Sequence, residues 1–147
     1  MHQEDVEYLS RYRALGLHGT PCTPEEVTKL EADLHVRLPA AYRAYLLLMG
    51  NGPDPILTGT DCSIGDLYVL REGAEELLVE DGSPFELPPD AFIFLMHQGY
   101  QFMYFISDGS SEDPPVFYYL EGDGAAERKY DRFSEWVELC ASEKEHD

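Results

Sequence analysis

Hydrophobic residues recur every three or four positions in several stretches of the chain, the spacing that places them on one face of an amphipathic helix. The stretches and their apolar residues are 4–15 (Tyr8, Tyr12, Leu15), 24–36 (Val27, Leu30, Leu34), 39–49 (Tyr42, Tyr45, Leu46, Met49), 71–80 (Ala74, Leu77, Leu78) and a C-terminal stretch (Phe133, Trp136, Val137, Cys140). The pattern predicts four to five helices, each with its apolar face against a core.

Local signals mark where several of these helices begin and end. The segment Thr23-Pro24-Glu25-Glu26 predicts a capping box, with proline in the first helical turn. Pro39 suits the first turn of the next helix, and Gly50 is expected to end that helix in the left-handed conformation. Asp131 is the expected N-cap of the C-terminal helix.

Other stretches have the character of strands. Residues 91–97 and 100–106 are apolar or aromatic at almost every position, and Gln98-Gly99 between them has the length of a two-residue hairpin loop. Because these two runs do not alternate with polar residues, we expect central strands covered on both faces. Residues 116–120 predict a further strand, and residues 67–70 a short strand or a lead-in to the helix that follows.

Helices combined with a mostly antiparallel sheet define the α+β class. No internal repeat or linker divides the sequence, and 147 residues are enough to bury a core without disulfides. We therefore expect a single domain over residues 1–147.

Charge changes the picture most. The formal net charge is −19, and residues 71–127 contain thirteen acidic residues but only one base, Arg71. A field of this sign repels nucleic acid and anionic membranes and attracts basic proteins. The alternative is that the acidity serves solubility alone. With a polar, acidic N-terminus and no apolar run near eighteen residues, we expect a cytoplasmic protein.

Candidate chemistry is sparse. Three widely spaced cysteines (Cys22, Cys62, Cys140) and five histidines show no metal-binding spacing, and the glycines form no phosphate-binding loop. His97 lies at a strand end, where a general base is accessible, but no nucleophile motif accompanies it. We expect no catalysis, no cofactor and no metal. A cleft with strongly perturbed titratable groups would instead favour an enzyme.

The order of several motifs resembles the SUKH superfamily, specifically its Smi/Knr type. The motifs are Leu38-Pro39-x-x-Tyr42, Asn51-Gly52, His97-Gln98-Gly99-Tyr100-Gln101-Phe102 and Phe133-x-x-Trp136-Val137, and the resemblance covers about residues 23–140. Two features depart from the family pattern. Leu34-His35 stands where members often carry a glycine after the first shared helix, and the first twenty residues have no counterpart.

The resemblance implies an α+β domain without enzymatic activity. Its bacterial members commonly serve as immunity proteins that bind and neutralise a toxin domain of a polymorphic toxin system, frequently a nuclease. Its fungal members act as interaction modules in the regulation of cell-wall synthesis. The resemblance thus leaves two functions open, an immunity protein against a basic toxin and a regulatory or scaffolding adaptor without a toxin partner.

An acidic surface suits the immunity function, because a nuclease presents a basic surface to its own substrate. The candidate partner-binding residues are Glu72, Glu75, Glu76, Glu80 and Asp81 on the helix, Glu112, Asp113, Glu121 and Asp123 on loops, and Tyr100 and Tyr118 as aromatic anchors.

Overall fold

A computed structural model describes residues 3–53 and 60–146 of the protein. The helices are α1 (Gln3–Ala14), α2 (Pro24–Leu34), α3 (Ala40–Met49), α4 (Ile64–Leu67), α5 (Leu70–Glu80) and α6 (Phe133–His146). The strands are β1 (Gly19–Thr20), β2 (Gly52–Pro53), β3 (Thr60–Asp61), β4 (Ala91–His97), β5 (Gln101–Ile106), β6 (Val116–Leu120) and β7 (Glu127–Tyr130).

An antiparallel sheet forms the centre of the fold, with the strand order β3-β4-β5-β6-β7. The apolar strands β4 and β5 are internal, as predicted, and every residue of β4 except His97 is buried. At one edge, β7 exposes Glu127, Arg128 and Lys129, and such charged side chains discourage pairing with a foreign strand. Strands β1 and β2 pair separately. The fold is therefore α+β, as expected.

One face of the sheet packs against α3 and α6 through aromatic rings. The Tyr42 ring of α3 meets Phe92 and Phe105 at centroid distances of 5.5 and 5.0 Å, and Trp136 of α6 meets Phe94 at 5.2 Å. These rings adopt edge-to-face arrangements, which suit the quadrupoles of aromatic side chains. The predicted apolar faces of both helices thus form the main core.

The opposite face of the sheet packs against α5 and the segment that follows it. A Cβ atom on Gly73 would lie only 3.1 Å from the Met96 sulfur, so glycine allows α5 to approach β4 closely. Phe85 stacks on Tyr119 at 6.0 Å and lies 6.4 Å from Tyr104. Both faces of the central strands are therefore covered.

Of the two alternatives for residues 67–70, the lead-in to a helix is correct and the strand is wrong, because these residues form the end of α4, a turn and the start of α5. Ile64–Leu67 forms the short helix α4, because the N–H of Ser63 donates to the Asp66 carboxylate at 3.3 Å and so favours a helical turn. This helix raises the number in the described residues to six. Strand β7 was not predicted, because its residues are mostly charged and it becomes a strand only by pairing with β6.

Two other local predictions also need correction. Leu15 is 38% exposed, and the buried side of α1 instead carries Asp5, Leu9 and Tyr12. The turn between β4 and β5 contains three residues, since His97 pairs directly with Gln101 and leaves Tyr100 in the turn.

The left-handed residue expected at the end of α3 occurs at the end of α2 instead. Gly50 is right-handed, and it is needed for space, because a Cβ atom there would lie 2.5 Å from the Cys22 sulfur. His35 instead adopts the left-handed conformation, at φ 53°, and ends α2 where family members often carry glycine. The capping box of Thr23 and Glu26 is present as predicted.

Candidate protein-interaction surface

The acidic residues of α5 lie on its solvent side. They are all exposed and are called here the acidic helix face: Glu72, Glu75, Glu76 and Glu80. Arg71, the base of the same helix, binds Glu75 at 3.1 Å and directs its other nitrogen atoms to the carbonyl oxygens of Pro88 and Ala91. Arg71 therefore neutralises only one of the four glutamates.

The other three glutamates form a row along the helix. Residues 72, 76 and 80 follow one another at i, i+4 spacing, which brings neighbouring Cβ atoms to about 6 Å. Among the side chains that the structure describes, none forms an ion pair with this row. Like charges at this spacing destabilise a helix by roughly 0.2–0.5 kcal/mol per pair. The row therefore costs stability that no ion pair among the described side chains offsets.

Two turns lie side by side at one end of the sheet and form a second cluster, called here the turn patch: Tyr100, Tyr118, Glu121 and Asp123. The N–H of Glu121 donates to the Tyr100 carbonyl at 2.9 Å, which joins the β4–β5 turn to the β6–β7 turn. Both acids are exposed, and both tyrosines are half-buried. The Tyr118 hydroxyl donates to the Gln101 side chain, and the Lys129 ammonium lies 5.2 Å from the Tyr118 ring centre.

Asp81 connects the acidic helix face to the turn patch. Its carboxylate accepts hydrogen bonds from the Tyr119 hydroxyl and, at 2.9 Å, from the N–H of Gly122. These two bonds, with the tyrosine contributing most, lower the pKa of Asp81 below its usual range. Asp81 thus ties the end of α5 to the β6–β7 turn and makes the two acidic clusters neighbours.

Tyr118 lies on the other side of the sheet from α5. Tyr119 bonds to Asp81 beneath α5, and adjacent residues of a strand point to opposite faces. Tyr118 therefore belongs to the face that packs against α3 and α6, and a partner must reach over the sheet end to contact it together with the acidic helix face.

Glu112 lies at the opposite end of the sheet and binds inside the molecule. It precedes β6, whereas Glu121 follows that strand, whose five residues span about 17 Å. The Glu112 carboxylate accepts the N–H of Ala40 at 2.7 Å, and its backbone carbonyl accepts the N–H of Ala41 at 2.9 Å. Glu112 therefore supplies acceptors to the first turn of α3.

Asp113 does the same for α6. Its carboxylate accepts both the backbone N–H of Ser134 at 2.9 Å and the Ser134 hydroxyl at 2.6 Å. Asp131, the predicted N-cap, instead pairs with Arg128 at 3.2 Å. The prediction of the cap was wrong because the acceptor comes from a loop that is distant in sequence, and no local pattern records it.

One protein family matches most of the chain. The model of the SMI1 / KNR4 family (SUKH-1) matches residues 21–139. The chain belongs to the SMI1/KNR4 (SUKH-1) family. A search of curated proteins finds no match to it. Members of the SUKH group typically bind partner proteins and are generally non-enzymatic.

The residues that carry the SUKH-1 resemblance hold the fold together. Tyr42 and Trp136 lie in the aromatic core, and Leu38 is fully buried. The Asn51 amide donates to the Pro21 carbonyl at 3.1 Å and to the Glu26 carboxylate at 3.3 Å, which links the end of α3 to the start of α2. These motif residues thus support the fold, whereas the motif at 97–102 also contributes Tyr100 to the turn patch.

A buried ion pair attaches α1, which lies outside the SUKH-1 match. Asp5 is 3% exposed and Arg43 7% exposed, and the Arg43 guanidinium contacts both Asp5 oxygens at 2.9–3.1 Å. Arg43 also donates to the Leu38 carbonyl and lies 3.7 Å from Glu112. Sequence reasoning missed this pair. The available signal was an acidic residue in register with Leu9 and Tyr12 on the apolar stripe of α1.

Neither a metal-binding group nor a membrane-spanning helix is found in the part of the chain that the structure describes. No group of three or more described His, Cys, Asp or Glu side chains is arranged to hold a metal ion. None of the helices there is both long enough and apolar enough to cross a bilayer. All three cysteines are buried thiols, and burial raises the pKa of Cys22 to about 12.

Proposed function

We propose that this SUKH-1 protein is a non-enzymatic immunity protein that binds and neutralises a basic toxin domain, with a nuclease domain as the preferred partner. The observation that carries the proposal is the row of like charges at residues 72, 76 and 80, which forms no ion pair with a base among the described side chains and lies in a chain of net charge −19. Membership of a family that typically binds proteins supports it.

The physical mechanism is charge complementarity. A nuclease must expose Lys and Arg to bind phosphates. An acidic surface attracts these bases over about 10 Å at moderate salt and then covers them, which excludes the nucleic acid. A stable complex requires about 800 Å² of buried surface on each partner. Charge steers and orients the encounter, while central aromatic and apolar contacts supply much of the affinity.

The structure divides the candidate residues by the work they do within the fold. The acidic helix face and the two acids of the turn patch point to solvent and form the proposed contact surface. Glu112, Asp113 and Asp81 hold helices and turns in place, so in this proposal they shape the surface more than they touch the partner. Tyr100 and Tyr118 stand at its margin as half-exposed anchors.

Co-expression with toxin domains encoded next to the protein tests the proposal. We expect the wild-type chain to restore growth and to co-purify with one such domain, with an affinity that falls as salt rises. The triple variant Glu72→Lys, Glu76→Lys, Glu80→Lys should keep its fold, because these side chains are exposed, but should lose at least tenfold in affinity. The matched control reverses three exposed acids elsewhere, Glu4, Glu7 and Glu138.

Two results would contradict the proposal. If the triple variant on α5 and the control lose affinity equally, the acidity acts as a general field and the acidic helix face is not the contact surface. If no neighbouring toxin domain is neutralised and the chain instead co-purifies with a regulatory or scaffolding protein, the adaptor function replaces the immunity function. Circular dichroism and melting temperature of each variant verify that the fold is intact.

A further inference from the structure

An apolar groove runs between α5 and the segment that follows it. Leu78, Val79, Phe85 and Leu87 contribute its apolar surface, Ser83 also lines it, and the open cavity has a volume of about 290 Å³. Val79 is 80% exposed, the highest exposure among the large hydrophobic residues of the described ranges. An isolated exposed valine needs no explanation, but this one forms the rim of a groove with three further apolar side chains.

Internal contacts hold both walls of the groove. On the sheet side, Phe85 stacks on Tyr119 at 6.0 Å. The chain turns at Ser83, whose hydroxyl donates to the Gly124 carbonyl at 3.3 Å and accepts the N–H of Phe85 at 3.1 Å. Asp81 fixes the end of α5 to the same β6–β7 turn. A bound segment therefore meets a formed groove and does not have to order it.

The groove is bordered by acidic residues. Glu86 and the Arg71-paired Glu75 line it, and the glutamate row at residues 72, 76 and 80 runs beside it on the same helix. Arg71 is the single base between residues 71 and 127, and it is occupied by Glu75 and by backbone carbonyls. An apolar floor with an acidic rim complements a segment that carries one apolar side chain between basic ones.

We propose that this groove is the docking site for a basic segment of the partner protein, which inserts one aliphatic side chain beside Val79 and places flanking Lys or Arg residues against the acidic rim. The proposal deepens the function proposed above and rests on it for the identity of the partner. It adds an apolar anchor at a defined position to a surface otherwise described by charge alone. Stable interfaces depend on such buried anchors near their centre.

A pair of synthetic peptides provides the test on the full chain. The first peptide has the sequence Lys-Lys-Leu-Lys-Lys with blocked ends, and the second carries serine in place of leucine. Titrations followed by methyl NMR should shift the signals of Leu78, Val79 and Leu87 with the leucine peptide, which should bind at least fivefold more tightly than the serine peptide. Val79→Ser should weaken the leucine peptide at least threefold, whereas Val6→Ser, an exposed valine on α1, should leave it unchanged.

Equal binding of the two peptides, or NMR signal shifts spread over the whole acidic surface, would overturn the groove proposal, because electrostatic attraction alone would then explain the binding. The cognate toxin separates this failure from a failure of the proposed function. If the triple lysine variant of α5 abolishes toxin binding but Val79→Ser does not, the acidic surface stands and the groove proposal is wrong. If no toxin binds the wild-type chain, the immunity function is wrong even where the leucine peptide occupies the groove.

Discussion

Removal of the Asp5 carboxylate is the sharpest test of how the fold holds its first helix. Asp5 and Arg43 are nearly inaccessible to solvent and form a bidentate pair with distances of 2.9–3.1 Å. In the variant Asp5→Ala the Arg43 guanidinium keeps its hydrogen bond to the Leu38 carbonyl and its 3.7 Å contact with the Glu112 carboxylate, but it loses Asp5, its main partner. A buried charge without its partner is far more costly than the intact pair is stabilising.

The expected loss is about 3–5 kcal/mol of unfolding free energy, the range for breaking one side of a buried ion pair. Against a typical total of roughly 5–15 kcal/mol, this is a large fraction of the stability. Detachment of α1 sets an upper limit on the loss. That opening would expose Leu9 and Tyr12 and break the hydrogen bond from the Tyr12 hydroxyl to the Ala41 carbonyl at 2.8 Å.

Urea denaturation measures the loss of unfolding free energy, and amide hydrogen exchange of α1 measures the detachment of that helix. The double variant Asp5→Leu, Arg43→Met removes both charges and should recover stability to within about 2 kcal/mol of wild type, since its remaining defect is the Leu38 carbonyl without its donor. Glu138→Ala breaks a half-exposed pair with Arg11 at 3.5 Å and should cost less than about 1 kcal/mol.

A loss below about 1 kcal/mol for Asp5→Ala, or a double variant whose loss equals the sum of the losses of Asp5→Leu and Arg43→Met measured alone, would refute this reasoning. Either result would mean that water reaches the pair in solution and that α1 is held by its apolar contacts instead.

Further predictions concern the core, a helix cap, a carboxylate and the acidic helix face. Trp136→Ala should destabilise the protein by about 3–5 kcal/mol, and an unchanged melting temperature would mean that α6 does not close the core. Asp113→Ala should lower the unfolding free energy by about 1–2 kcal/mol in urea denaturation, as the loss of a helix cap does, and Asp131→Ala should lower it by less than about 0.5 kcal/mol. The reverse order would mean that Asp131, and not Asp113, caps α6. The pKa of Asp81 is lowered in the folded state, so the ionised carboxylate stabilises the fold. This stabilisation is complete above the ordinary pKa of 3.8 and disappears as the pH falls through the lower pKa of the folded state. Asp81→Asn should therefore lower stability at pH 7 and match wild type in strong acid, and a constant difference across pH would contradict the assignment. Glu76→Lys should raise stability by about 1 kcal/mol at low salt, since it converts two repulsive i, i+4 pairs into attractive ones, and a decrease in melting temperature would show that the row is not repulsive.

Local patterns predicted most of the secondary structure. The stripe of Tyr42, Tyr45, Leu46 and Met49 is buried, and the apolar runs at 91–97 and 100–106 form the central strands. The family was also predictable, since the motifs lie within the matched residues 21–139. The failures were short segments, such as residues 67–70, whose apolar composition suits a short strand but which connect α4 to α5 in the structure.

The candidate surface was less predictable, because the exposure and the partners of a charged side chain depend on distant residues. The count of acidic residues gave Glu72 and Asp113 equal weight as contacts for a partner. In the structure Glu72 faces solvent, whereas the Asp113 carboxylate is bound to Ser134 at the start of α6. Composition therefore predicted the charge of the surface but not which carboxylates form it.

The amino-acid sequence by itself determined the periodic faces, the capping box at Thr23, the acidic excess and the family. The periodic faces and the capping box depend on residues within about four positions of one another, the acidic excess is a simple sum, and the family follows from the order of motifs along the chain. The tertiary structure alone decided which acids remain available to a partner. Glu112 reaches Ala40 across 72 positions, Asp113 reaches Ser134 across 21 and Asp5 reaches Arg43 across 38. Such pairs form only when topology brings the elements together, because no local periodicity links a carboxylate to a donor so far along the chain.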